Sequence, residues 1–305
     1  MDWKDNLIAL FLYTSQKYHQ ELWPYCQRMS NNKTQFKLSD EEVITIYLFG
    51  TIRGRSTIKE IYNYTKDHLI DWFPNLPSYA AFVQRLNRLD SVFPVLIESI
   101  LEDFSSNDLL KNIRLIDSLP IIMANAKRSS KAKVANEFAN KGYCSSKGIY
   151  YYGVKVHILG LKRTNTLPLP DYIGVTPASD HDLSAFRQIS SLLHGGKLFA
   201  DKAYIDELER EIQLKEQGVE KWTPAKKRKG QKRLDLFEQL LSTSVSRVRQ
   251  PIESLFNWIE EKTKIQIASK VRSYNGLMVH VFGKLAAAMF LMVFNSGMVH
   301  FSVKA

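Results

Sequence analysis

The amino-acid sequence predicts a mixed α/β protein, in which an all-helical region precedes a core of strands and flanking helices. Three observations predict it. Apolar residues in the first 108 positions recur at helical intervals, with no convincing strand alternation. From Ile113 the chain changes to short apolar runs, two of which end in aspartate. From Arg233 the helical period returns, with Val248, Ile252, Leu255 and Ile259 on one stripe. The expected boundaries are 1–108 for the helical region, 109–298 for the mixed core and 299–305 for a tail.

Leu7, Leu10, Phe11 and Tyr18 mark the first helix. Ser39 and Glu42 form a capping box ahead of Val43, Ile44, Ile46 and Tyr47. Gly50 and Gly54 bracket a break, and Ile58, Ile61 and Tyr62 carry the next helix. Pro74 and Pro77 mark a turn. Ser78 then caps a helix with Phe82, Val83, Leu86 and Leu89 inward and Arg85 and Arg88 outward, the two arginines being either DNA contacts or a solvated face. In the mixed block, Ile113–Asp117 reads as a buried strand ending in a carboxylate. Tyr150–Leu161 reads as a half-buried strand, in which Tyr152, Val154, Val156 and Ile158 alternate with Gly153, Lys155 and His157. Tyr172–Val175, Lys197–Asp201 and Glu220–Pro224 are further strands. Leu183–Leu193 and Ile205–Glu216 are helices, the second stopped by Gly218. In the helix from Arg233 to Lys262, Pro251 either starts a new helix or kinks the old one. Leu277–Phe294 is interrupted by His280 and Lys284 and falls short of the about 20 apolar residues a bilayer span needs, so it reads as a buried core helix.

Across 305 residues, 45% hydrophobic and 24% charged composition supports a sizeable core and excludes global disorder. The net charge of +11 argues against a generic metabolic enzyme and for a polyanionic partner, nucleic acid before an acidic membrane surface. Two cysteines, Cys26 and Cys144, exclude a disulfide scaffold and a clustered zinc site, and fit a reducing cytoplasm. The first residues lack a basic stretch leading into an apolar signal core.

Asp117, Asp201 and Glu253 form the candidate catalytic and metal-binding set. Each aspartate follows a short apolar strand, where a carboxylate is costly unless satisfied. Glu253 lies on a helix beside its apolar stripe. Three carboxylates suit a hard cation such as Mg²⁺, or Mn²⁺ in its place, and two ions about 4 Å apart can activate a nucleophile and stabilise a leaving oxygen. The residues alone leave open that each aspartate is a turn-former or helix cap. Lys202 and Arg249 sit beside these carboxylates, either keeping them ionised and touching phosphate or forming ordinary ion pairs. Lys127 and Arg128, with Lys131 and Lys133, follow the first strand. Lys226, Lys227, Arg228 and Lys229, with Lys232 and Arg233, crowd the link before the long helix. Both runs are expected to contact phosphate in a salt-sensitive, sequence-blind way. His157 is expected on the cleft side of its strand, with a DNA contact and a structural role both open; Lys155 joins the DNA-binding set. Asp180-His181-Asp182 is metal-like in composition but reads as a cap before Leu183. Trp222 and Trp258 read as core rather than as base-stacking platforms.

Four stretches then resemble a bacterial insertion-sequence transposase of the DDE type, closest to the insertion-sequence 982 branch. They are Ile116-Asp117-Ser118-Leu119-Pro120-Ile121, Tyr151-Tyr152-Gly153-Val154-Lys155-Val156-His157, Ala200-Asp201-Lys202-Ala203-Tyr204 and Arg249-Gln250-Pro251-Ile252-Glu253-Ser254-Leu255-Phe256. Leu38–Ile44 and Ser78-Tyr79 are similar too. The resemblance implies a ribonuclease-H-like core with Asp117, Asp201 and Glu253 as the metal-binding triad. It further implies water attack at each end of the transposable element, followed by attack of the freed 3′-hydroxyl on target DNA. Arg249 would position a phosphate or orient Glu253, and the helical region would read the terminal inverted repeats in helix-turn-helix fashion. The implied partners are double-stranded DNA and, in synapsis, a second copy of the chain, in a bacterial cytoplasm at the nucleoid and with no membrane. Ala203 departs from the family's glycine, and Ser246 and Glu260 replace the wider group's tyrosine and lysine around Glu253, which puts phosphate contacts on this helix in question. Two other readings compete: a DNA-binding remnant without activity, and a nuclease of the same fold that cuts without joining.

Overall fold

Local capping organises the first helices. In the computed structural model, which describes residues 2–26, 37–104, 109–145, 147–227, 229–231 and 233–295, α1 (Trp3–Lys17) opens on a reciprocal Asp2–Asp5 capping box. The Ser39–Glu42 box forms as expected and starts α2 (Asp40–Ile52). Every residue of α2 from Val43 to Thr51 is buried, so this helix is the centre of its layer. Gly50 lies inside α2 rather than at a break. A Cβ there would stand 2.7 Å from Ile61 Cγ2, so the glycine admits close packing of α3 (Ile58–His68). The break falls at Gly54, whose φ is +80°. Ser78 caps α4 (Tyr79–Asn87), with Phe82 and Leu86 buried. Arg85 does not face outward: its Nε donates to Asp40 Oδ1 at 2.9 Å and its Nη1 to the Leu38 carbonyl, so it neutralises a buried aspartate. α5 (Val92–Glu102) completes the series.

The mixed block holds one six-stranded sheet. β1 (Leu109–Asn125) runs well past Asp117, which therefore lies mid-strand and not at a strand end. β5 pairs with β1 only up to Leu115, so among the described residues one edge of β1 has no ladder partner beyond that point, and Pro120 is tolerated. A short helix α6 (Ala126–Ser129) follows. β2 (Asn140–Cys144), not foreseen from sequence, and β4 (Leu169–Pro177) share one edge of β3 (Ile149–Arg163), while β1 takes the other edge; all these pairs are antiparallel. β3 is buried on both faces from Tyr151 to Val154, not half-buried, because strands flank it on both edges and helices cover the sheet. After α7 (Asp182–Ile189), β5 (Gly196–Phe199) pairs parallel with β1, and after α8 (Leu208–Glu216), stopped by Gly218 at φ +75°, β6 (Val219–Trp222) pairs parallel with β5. The order β2-β3-β1-β5-β6, with β4 beside β3, is the ribonuclease-H-like arrangement expected. Ile116 and Leu159 meet Phe186, Ile189, Leu214 and Val219 on one sheet face.

α9 (Leu236–Thr263) is one continuous helix of 28 residues with Pro251 inside it. By contacts the chain forms two units, Met1–Ser105 with Ile259–Ala305, and Ser106–Trp258. The helical unit ends in α10 (Tyr274–Met278), a wide turn Val279–Gly283 and α11 (Lys284–Asn295). The span Tyr274–Phe294 is long and apolar enough to cross a membrane, but 83% of its most apolar window is buried, as expected of a core helix. Lys284 interrupts this span at a cost offset by its Nζ donating to the Lys264 carbonyl at 3.0 Å. Cys26 and Cys144 are both buried, and Cys26 Sγ lies 3.7 Å from the Leu22 carbonyl oxygen.

Candidate active site

Sheet register aligns the two aspartates. Leu115 pairs with Phe199 in the last parallel step of β1 and β5, and Asp117 and Asp201 each lie two residues beyond it. Both therefore emerge at the same end of the parallel pair. Asp201 leaves the sheet with Ala200 N bonded to the Trp222 carbonyl and opens a tight turn at Lys202–Tyr204. Alternation in β1 puts Asp117 on the face opposite Ile116. Ile158 and Gly160 of β3 share that face, and the Cβ position of Gly160 lies 3.4 Å from Ile252 Cδ1 of α9. The apolar stripe of α9, with Val245, Ile252 and Leu255 buried, thus seats the helix where Arg249 and Glu253 border the aspartates.

Arg249 gathers the three acids. Its Nη2 lies 2.8 Å from Asp117 Oδ2 and 3.0 Å from Glu253 Oε1, and its Nη1 lies 3.6 Å from Asp201 Oδ1. The Asp117 and Glu253 oxygens share one nitrogen and so can be no further apart than those two bonds laid end to end. The Arg249 side chain is 9% exposed and that of Asp117 20%, whereas Asp201 and Glu253 are about half open to solvent at 47% and 55%. Burial raises the Asp117 pKa, against the pull of Arg249 and the Ser118 amide, with Asp201 adding repulsion. Burial opposes the Arg249 charge, but Asp117, Asp201 and Glu253 outweigh it and raise its pKa. Arg249 Nε is buried without a partner. Among the described residues, no three His, Cys, Asp or Glu side chains form a ready metal cluster; the guanidinium bridges the acids instead. The donor set still fits a hard divalent ion. It consists of carboxylate oxygens held around one positive charge, two of them solvent-accessible.

Other residues singled out from sequence divide between this site and elsewhere. Lys202 is exposed in the turn beside Asp201. Lys226, Lys227 and Lys229 are exposed in the link that leaves β6 at the same sheet end; Arg228 lies outside the described residues. Lys127 and Arg128 are exposed on α6. They do not adjoin Asp117 in space, because β1 continues past it to Asn125, roughly 25 Å at the usual strand rise. His157 pairs with Ser118, so it points to the face opposite Asp117 and not into the cleft. There its Nε2 meets Thr176 Oγ1 at 2.8 Å, and burial lowers its pKa to about 4. Lys155 shares that face, bonding the Asp180 carbonyl at 2.6 Å and Asp182 Oδ1 at 3.0 Å. His181, not a flanking aspartate, is the N-cap residue of α7, and no side chain caps it. Trp222 is partly exposed. Glu260, which replaces a lysine of the wider group, accepts from Gln266 N at 2.8 Å, and Lys262 pairs with Glu261.

Two neighbours escaped sequence reading. Arg247, with Ser242, Ser246 and Gln250, lines an open groove along α9 that leads to Glu253. Only its position one turn before Glu253's own turn could have signalled it. Tyr204 is fully buried against Phe186, its hydroxyl lacks a partner, and burial raises its pKa, with Asp182 and Asp117 adding to the effect. Its place in the second aspartate stretch was its only signal.

The family model described as transposase DDE domain matches residues 108–273, which contain all three acids and Arg249. No curated protein and no solved structure matches the chain. A match over more than half of the sequence, on a fold that brings Asp117, Asp201 and Glu253 to one guanidinium, shows that the chain belongs to the transposase DDE domain family.

Proposed function

We propose that the protein binds the terminal inverted repeats of an insertion sequence of the insertion-sequence 982 branch and catalyses both strand cleavage and strand transfer. The observation that carries this reading is the convergence of three carboxylates from β1, the β5 end and α9 on Arg249. Asp117, Asp201 and Glu253 would hold Mg²⁺ or Mn²⁺, two ions in the full site. Bound there, the ions supply Lewis acidity for water activation and for the leaving oxygen.

The chain's own residues do the rest. Asp117, backed by the sheet, fixes the rear of the site, while the half-exposed Asp201 and Glu253 face substrate. Arg249 holds the acids together until substrate or metal competes for them, and its planar fork then suits a phosphate. Lys202, Lys226, Lys227, Lys229 and Arg247 supply phosphate contacts around the cleft, with Arg228 assigned by sequence alone. Lys127 and Arg128, at the far end of β1, touch DNA away from the scissile bond. Lys155 and His157 hold the sheet to α7 and β4 rather than touching DNA. Residues 1–108 are assigned to repeat recognition and 109–298 to catalysis; the compact units divide after Trp258. A homodimer in synapsis and a place at the bacterial nucleoid belong to the same reading.

Incubating the full chain with labelled repeat ends, target DNA and Mg²⁺ tests it. Nicked ends joined to target support it. Nicked ends without joined product favour a nuclease, and binding without nicking an inactive remnant.

A further inference from the structure

Asp201 is the least restrained of the three acids. Among the described residues its side chain meets one cation, Arg249 Nη1 at 3.6 Å, which is beyond hydrogen-bond range. Asp117 and Glu253 each accept a hydrogen bond from Arg249. The place of Asp201 therefore depends on its backbone, and two adjacent residues of β6 hold that backbone on both sides. Ahead of Asp201, the Trp222 carbonyl accepts from Ala200 N at 3.0 Å. After it, Tyr204 N closes the turn on the Asp201 carbonyl at 3.0 Å, and Lys221 Nζ donates to the Tyr204 carbonyl at 2.7 Å. The Tyr204 ring is fully buried against Phe186, and Lys221 Nζ stands 5.5 Å from the centre of the same Phe186 ring.

Lys221 also ends a chain of charges that joins α7, α8 and β6 to this turn. Its side chain is 4% exposed and pairs with Glu211 of α8. Glu211 Oε1 accepts from Asp206 N at 3.1 Å. The Asp206 carboxylate, 2% exposed, receives Arg187 of α7, whose Nε lies 3.2 and 3.1 Å from its two oxygens. Buried ion pairs add little stability, because lost hydration offsets their attraction. A connected network instead fixes directions, since each group is held by the next. Here it fixes Tyr204 and Asp206, the residues into which the Asp201 turn runs. Mg²⁺ demands near-ideal geometry, so a ligand placed by its backbone needs that backbone held. We propose that the network Arg187–Asp206–Glu211–Lys221 positions Asp201 for metal binding, with Lys221 as its main positioning residue. The inference rests on the reading of Asp201 as a metal-binding acid and adds to it the residues that set its place.

The test titrates Mg²⁺ into the full chain by calorimetry, without DNA and well below the melting temperature, and separately measures cleavage of repeat ends. Wild type and Asp201→Asn come first, and weaker binding by the variant is expected. Lys221→Met keeps the length of the side chain and removes its charge. It should weaken Mg²⁺ binding about tenfold, the lower end of the usual effect of losing a group that orients a metal ligand. It should lower kcat for cleavage by a similar factor and leave KM for the repeat ends unchanged. A contact that serves only stability would lower the melting temperature and leave all three values alone. Arg187→Gln changes a side chain that is 32% exposed, at the outer end of the chain, and should weaken Mg²⁺ binding by a smaller factor. It decides the matter if Lys221→Met does not fold. Wild-type Mg²⁺ affinity in the folded variant overturns the proposal, as does a raised KM with kcat unchanged, which would assign the network to DNA contact. Wild-type Mg²⁺ affinity in Asp201→Asn instead overturns the metal reading of Asp201 itself, so the two failures are told apart.

Discussion

Arg249 brings one positive charge to three carboxylates, so the cluster stays net negative when all are ionised. Removing that charge leaves the mostly buried Asp117 uncompensated. Arg249→Met should therefore destabilise the protein in EDTA by about 2–3 kcal/mol, less than for a fully buried pair because Asp201 and Glu253 are solvated. Millimolar Mg²⁺ should restore most of the lost melting temperature by supplying the missing charge; loss of stability that Mg²⁺ does not repair would assign Arg249 to packing alone. Asp117 gives a pH signature. Its pKa is raised in the fold, so the folded state holds the proton more tightly than the unfolded chain. Its stabilising contribution is present in acid and fades as pH climbs through the raised value. In EDTA, Asp117→Asn should thus gain melting temperature relative to wild type as pH rises from about 4 towards neutral, carboxylates ordinarily titrating near 3.9. Mg²⁺ should raise the wild-type value and not that of the variant. Arg249 and Glu253 could be read as a pair because i, i+4 spacing on a helix is a local signal, and Asp117 and Asp201 stood out because each closes a short apolar run, although β1 runs on past Asp117 to Asn125. The ion pair of Arg85 with Asp40 was not, because it joins residues far apart in the chain. His157 was misplaced because strand alternation gives two faces without saying which one borders the site.

At the level of elements, β1 and α9 decide where the chemistry sits. The sequence shows the apolar core of β1 but not its length, since Pro120 looks like a stop until the neighbouring strand is known to leave at Leu115. β2 went unread because Asn140-Lys141-Gly142-Tyr143-Cys144 has little β character of its own and is ordered by pairing with β3. Gly153 marks how tightly β3 approaches β1: a Cβ there would fall 2.0 Å from the Ile121 carbonyl oxygen. Gly153→Ala should lower stability by about 1–3 kcal/mol, with the fall in melting temperature as readout. Pro251 lies between Arg249 and Glu253 and cannot donate to the Arg247 carbonyl one turn back. Pro251→Ala should raise stability by about 1–3 kcal/mol. A simultaneous loss of cleavage would show that the broken hydrogen bond helps to place Glu253.

Across the whole molecule, the +11 charge acts through exposed lysines and arginines rather than through the fold. Replacing Lys226, Lys227 and Lys229 with alanine should weaken DNA binding and make the slope of log affinity against log salt shallower by about 2–3, close to one per lost phosphate contact. The mixed α/β class and the order of blocks were visible from apolar periodicity, and the ribonuclease-H-like core from the resemblance. The return of residues 259–305 to the helical unit was not, because which helices share a core depends on long-range packing. The proposed chemistry needs Asp117, Asp201 and Glu253 to form one catalytic centre. Cleavage of labelled repeat ends by Asp117→Asn, Asp201→Asn and Glu253→Gln, each first shown to bind those ends, tests it most directly. All three should bind and none should cleave; wild-type cleavage by any one of them would remove that residue from the centre.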